Sequence, residues 1–120
     1  MKKIFFAASS DTSKFVKELD EKYKVQVSDY STVKEDEISD FDYYVFLIVP
    51  KLDRYELIVD SVDYSNKKKD KTIFCYLQNY GTEEFIKHQI KSLDATGKMI
   101  AANGGIWCKS IEEIVSEVSK

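Results

Sequence analysis

With a single proline, four glycines and no low-complexity segment, the chain has nothing to build a linker from, so its 120 residues are expected to form one domain, 1–120, around one core. A long hydrophobic run is missing as well. The longest, Tyr43-Tyr44-Val45-Phe46-Leu47-Ile48-Val49, falls far short of the roughly 20 residues that a membrane span requires. Met1-Lys2-Lys3 leads into a strand pattern, not into a cleaved signal. A cytoplasmic protein with no membrane partner is the expectation. Charge of one sign is not in excess: 18 Lys and Arg against 21 Asp and Glu leave a net charge of -3. That gives no electrostatic reason to expect a nucleic-acid partner, while a nucleoside or nucleotide ligand stays open.

Cysteine and histidine are equally scarce. Cys75 and Cys108 lack the close spacing of a zinc knuckle or a redox pair, and reduced core thiols are expected. His88 is the one histidine, and a lone imidazole without arranged thiolate or carboxylate partners does not make a metal site. It sits at the margin of a helical face, where a partly exposed surface position is expected.

What is present is organised around residues 42–66. The unbroken apolar run 43–49 suits a strand covered on both faces. Pro50 ends it, Lys51-Leu52-Asp53 makes a short connection, and Leu57, Ile58 and Val62 then recur at helical spacing. Asp53, Tyr55, Glu56 and Asp60 fall in that loop and the first two turns of the helix. This is the region just past the carboxyl end of a strand, where open parallel sheets bind ligands.

Upstream, Lys3-Ile4-Phe5-Phe6-Ala7-Ala8 reads as a strand running into the capping cluster Ser9-Ser10-Asp11-Thr12-Ser13. Phe15, Val16, Leu19 and Tyr23 mark a helix, and Val25 and Val27 an edge strand. Residues 28–40 are polar, with one helical turn expected around 34–38. Downstream, Ser65-Asn66 ends the helix, a lysine-rich turn follows, and Thr72-Ile73-Phe74-Cys75-Tyr76-Leu77 is a buried strand. Phe85, Ile86, Gln89, Ile90, Leu93, Gly97 and Ile100 line one face of a long helix. Asn103-Gly104-Gly105 stops it, and Ile106-Trp107-Cys108 is a last short strand. Ser110-Ile111-Glu112-Glu113 matches a capping box before a helix with Ile111, Ile114, Val115 and Val118 inward.

Strands alternating with helices predict an α/β fold: a doubly wound five-stranded parallel sheet in the order 2-1-3-4-5, with the three-layer architecture called flavodoxin-like. Its switch point lies between the first and third strands, so Ser9, Ser10 and Asp11 are expected to face 50–56 across a crevice. Asp29 and Tyr30 close the second strand at the same rim. Tyr55 and Tyr30 are the rings placed to stack on a base.

Two families with this sheet fit poorly. A receiver domain needs an acidic pair after the first strand and an aspartate closing the third, where this chain has Ala8-Ser9-Ser10-Asp11 and Val49-Pro50. A flavodoxin phosphate loop is matched by 9–13 only in part, without its glycine.

A better match runs from Asp42 to the C-terminus, over about two-thirds of the chain. The segments Asp42-Tyr43-Tyr44-Val45-Phe46-Leu47-Ile48-Val49-Pro50-Lys51, Asp63-Tyr64-Ser65-Asn66-Lys67, Lys71-Thr72-Ile73-Phe74-Cys75, Gln89-Ile90-Lys91-Ser92-Leu93 and Asn103-Gly104-Gly105, in this order and spacing, resemble the nucleoside 2-deoxyribosyltransferase-like family of bacteria and their phages. The resemblance implies a nucleoside or nucleotide held at the carboxyl ends of the strands. It also implies cleavage or exchange of an N-glycosidic bond through a carboxylate nucleophile, with no cofactor and no metal.

The family's nucleophile is a glutamate on the helix after the third strand. Counting back from Ser65-Asn66, the matching residue is Asp60, one methylene shorter, with Glu56 one turn earlier as the second candidate. Ser9, Ser10, Asp11, Asp29, Tyr30, Asp53 and Tyr55 are the expected substrate-binding residues. Ala8-Ser9-Ser10 stands where the family carries glycines, and the stretch between the second and third strands is short. A non-catalytic nucleotide-binding or protein-interaction module on the same fold is therefore the alternative. Members of the family commonly complete their pocket with a neighbouring subunit, so self-association is expected.

Overall fold

A computed structural model of the chain describes residues 2–8, 26–29, 41–48, 55–76 and 84–120. The strands are β1 (Lys3–Ala8), β2 (Gln26–Asp29), β3 (Tyr43–Ile48), β4 (Thr72–Tyr76) and β5 (Ile106–Cys108). They lie in one parallel sheet in the order β2-β1-β3-β4-β5. The helices are α1 (Tyr55–Lys68), α2 (Glu84–Ala102) and α3 (Ile111–Val118). The helix expected around 15–22 and the turn expected at 34–38 lie outside the described residues.

Alternation along the strands sorts side chains onto two faces. Phe5, Ala7, Tyr44, Phe46, Ile48, Phe74 and Tyr76 point to one side, where Ile58, Val62 and Tyr64 of α1 and Ile90, Leu93 and Ile100 of α2 cover them. Ile4, Phe6, Val45, Leu47, Ile73, Cys75 and Cys108 point to the other, against Ile114 and Val118 of α3. Because both faces are covered, β3 and β4 carry apolar residues at nearly every position instead of alternating with polar ones. The first layer is predominantly aromatic and the second aliphatic with two thiols.

The ends of the elements show local chemistry at work. At the amino end of the sheet, Asp42 joins β1 to β3: its N–H donates to the Lys3 carbonyl at 2.8 Å, and its Oδ2 accepts from the Lys3 N–H at 2.8 Å. α1 runs past the expected stop at Ser65-Asn66, through Lys68, and a 3₁₀ turn over Lys69–Lys71 leads into β4. Lys67 and Lys68 in the last turn of α1 favour this extension by facing the negative end of the helix dipole.

α2 ends in a Schellman motif. Gly104, at φ 97°, donates to the Ala101 carbonyl at 3.1 Å, and Gly105 donates to Ile100 at 2.8 Å. For α3, the Ser110 hydroxyl accepts the Glu113 N–H at 3.2 Å. The returning bond of the box lands one residue early, since Glu113 Oε2 accepts from the Lys109 N–H at 2.6 Å. Among the described residues, no helix is long and apolar enough to cross a membrane.

Candidate functional site

The chain leaves β1 for β2 on one side and later enters β3 on the other, so the order reverses between β1 and β3. In open α/β sheets the loops part there and leave a crevice at the carboxyl ends. Ala8 pairs with Leu47, so β3 runs one residue past the end of β1. Their outgoing connections, which hold Ser9, Ser10, Asp11 and Asp53, lie outside the described residues, as does Tyr30. Asp29 closes β2 and pairs with Phe6. Tyr55 and Glu56 open α1. These three, and His88 in α2, are described as backbone only.

Asp60 is the sequence-predicted site residue whose side chain is described, and it is half-buried. Tyr64, four residues on, shares its side of the helix. The Tyr64 ring stacks on Tyr44 with centroids 5.1 Å apart, and it meets Phe46 at 5.4 Å and Phe5 at 6.3 Å. That side of α1 therefore lies over β1 and β3, the strands that flank the crevice. Ser61 and Ser65 of the same helix are both 0% exposed. Their hydroxyls are satisfied within the helix, donating to the Ile58 and Val62 carbonyls at 2.7 Å each.

The two helices on this face differ in reach. The Asn103 amide donates to Ser65 Oγ at 3.1 Å, which sets the lower ends of α1 and α2 side by side. From that level α1 rises about 15 Å to Tyr55, and α2 about 28 Å to Glu84, at 1.5 Å per residue. α2 thus stands about 13 Å farther past the carboxyl rim than α1, on the β4–β5 side of the sheet. It is pinned at the rim by the Tyr76 hydroxyl, which donates to Asp94.

Next to this bond, Trp107 stacks on Tyr76 with centroids 6.5 Å apart, and the Lys109 ammonium sits 2.9 Å from the indole centroid. Sequence reading missed this corner. The signal available was Gly97 one turn from Asp94, a gap on a helix face that the chain's one tryptophan fills.

Cys75 and Cys108 are register partners on β4 and β5, buried and free. Burial pushes both thiols up from 9.0 to about 12. The neighbouring Cys108 and the Glu113 and Glu112 carboxylates add to this for Cys75, and Glu113 and Glu117 for Cys108. Below pH 9 both folded and unfolded chains hold these protons and stability is unaffected. Between about 9 and 12 the unfolded chain loses them first, so stability falls as pH rises. Urea midpoints at pH 8 and pH 10.5 should therefore drop more for the wild type than for a variant with Cys75→Ala and Cys108→Ala; equal drops would show that the thiols do not set the alkaline limit. Among the described residues, no three His, Cys, Asp or Glu side chains are grouped to hold a metal ion.

No protein-family model matches the chain, and no curated protein sequence matches it. Among solved structures it is similar to a short-chain flavodoxin associated with a non-canonical PDU bacterial microcompartment, with a TM-score of 0.48 and 14% identity, covering 99% of this chain and 93% of that one. It is also similar to the regulatory domain of the master biofilm regulator CsgD, with a TM-score of 0.43 and 9% identity, covering 95% of this chain and 98% of that one.

Proposed function

We propose that the chain binds a nucleoside or nucleotide in the crevice between β1 and β3 of a flavodoxin-like three-layer frame, and that it cleaves the N-glycosidic bond with Asp60 as nucleophile. The observation that carries this is the placement of Asp60. It is a half-buried carboxylate on the helix leaving the central strand, on the flank that lies over the two strands bordering the crevice.

In this reaction an Asp60 oxygen bonds to the anomeric carbon while the carbon–nitrogen bond breaks. The electron pair leaves with the base, which takes up a proton, and a glycosyl ester forms. Water then attacks the same carbon and frees the carboxylate, giving sugar and base. An aspartate reaches about 1.5 Å less far than a glutamate, and attack geometry is unforgiving on that scale. Slow hydrolysis is therefore expected over fast base exchange.

The test pairs two measurements on purified protein. Ribo- and deoxynucleosides and their monophosphates are incubated with it and free base is followed by chromatography, and the same compounds are screened by thermal shift. Release from at least one compound is expected, with a rise in Tm of about 10 °C for a ligand at 100 times its Kd. A shift without release would replace the enzyme by a binding module. Neither signal with any compound would overturn the proposal.

A further inference from the structure

We propose that Cys75 and Cys108 form a site of reversible oxidation, at which hydrogen peroxide converts the two thiols to a disulfide that latches the edge strand β5 to β4. The two residues are register partners on neighbouring parallel strands, which run about 4.8 Å apart. That separation lies within the range of about 4.4–6.8 Å that the Cα atoms of a disulfide span. Both side chains leave the sheet on the same face, in the layer that Ile114 and Val118 of α3 cover. The chain has no third cysteine to compete for either of them.

The thiols are close enough to act on each other: after burial, the neighbouring Cys108 is the strongest influence holding the Cys75 proton in place. Facing side chains on parallel strands start with Cβ atoms about 5 Å apart, and a disulfide draws them to about 4 Å. β5 is the element that supplies the difference. It has three residues and lies at the edge of the sheet, paired with β4 alone, so no strand beyond it resists the shift. A bond closed by such a shift is more easily reduced than a relaxed one, which makes the latch reversible. Buried, protonated thiols react slowly while the layer is closed. The reaction therefore passes through local openings in which β5 and α3 lift from β4.

In the first step one thiolate takes an oxygen from the peroxide as the O–O bond breaks, giving a sulfenic acid and hydroxide. The second thiolate attacks that sulfur, the S–O bond breaks, the S–S bond forms and a second hydroxide leaves. The two thiol protons end on the two hydroxides, so two thiols and one peroxide give one disulfide and two waters. None of this depends on the chemistry of the crevice.

The experiment treats reduced protein, freed of reductant, with hydrogen peroxide, then unfolds it in urea with an alkylating agent and measures its intact mass. The wild type is expected to lose both alkylation sites together and to remain a single chain, with a peptide map joining the segments that hold Cys75 and Cys108. Its Tm should rise by about 5–10 °C, because the bond closes a loop of 33 residues, 108 minus 75. Dithiothreitol should return both the mass and the Tm. Cys75→Ala and Cys108→Ala keep the exposed Met99, so they account for methionine oxidation, and neither should gain stability. If one of them does not fold, the other serves as the control. Two alkylated thiols after peroxide, a link between two chains, or lost alkylation with no link in the map would each overturn the proposal. An equal rise in Tm in a single-cysteine variant would overturn the latch.

Discussion

Asp60→Ala is expected to lower base release at least 100-fold, the largest effect on activity of any single change on α1. The reaction proposed here needs an anionic oxygen within bonding distance of one carbon, and no water held in its place can form the ester that divides a difficult displacement into two easier ones. Because the lost interaction exists in the transition state and barely in the ground state, the loss should fall on kcat with KM nearly unchanged. Asp60→Asn is the sharper comparison: it keeps size and hydrogen bonding and removes the charge, and it should be nearly as slow. Glu56→Ala should cost about tenfold or less, since it lies a full turn nearer the start of α1 and fits the role of acid better than that of nucleophile. Release by Asp60→Ala at the wild-type rate would remove Asp60 from the mechanism, and a larger loss in Glu56→Ala would transfer the role to that residue.

A clear loss of stability is expected from Gly97→Ala. Alanine ordinarily gains about 1 kcal/mol over glycine inside a helix. At this position its Cβ would fall within the Cγ, Cδ2 and Cε2 atoms of Trp107. That ring cannot retreat freely, being stacked on Tyr76 and covered by Lys109. Overpacking of this kind costs about 1–3 kcal/mol, and more when rigid aromatic groups oppose it. A net loss of about 2 kcal/mol, or roughly 8 °C in Tm, is expected. Removing the obstacle should reverse the sign: in a Trp107→Leu background, Gly97→Ala should be neutral or stabilising. A loss of equal size in both backgrounds would show that the glycine serves something other than contact with the indole.

Elements whose signal is local were legible in the sequence. β3 and β4 announce themselves because residues buried on both faces leave no polar interruption, and α2 because its inward positions keep helical spacing as far as Ile100. Ser110 and Gly104 mark their helix ends through bonds to residues three or four positions away. The position of Asp60 on a helix flank over the sheet follows from the same periodicity.

Contacts between distant segments were not legible: Tyr76 with Asp94, Asn103 with Ser65, Lys3 with Asp42. Each depends on which strand or helix lies alongside and at what height, which no window of sequence contains. The one-residue shift of the returning bond in the α3 cap belongs with them, because it is a choice of rotamer and not of residue type. The run of α1 past Asn66 was missed for a related reason: three consecutive lysines look like a solvated turn, yet at a helix C-terminus they also prolong the helix.

The unequal reach of α1 and α2 has a consequence for motion. The lower part of α2, from Asp94 to its glycine stop, is tied to β4, β5 and α1, and its amides should exchange with solvent deuterium only when the whole domain opens. The upper part, residues 84–93, begins about 15 Å beyond Asp94, where the helix is bonded to Tyr76. Its amides should exchange by partial opening, at a lower free energy than the rest of the helix. One continuous helix would then carry two exchange rates, with the step near Asp94.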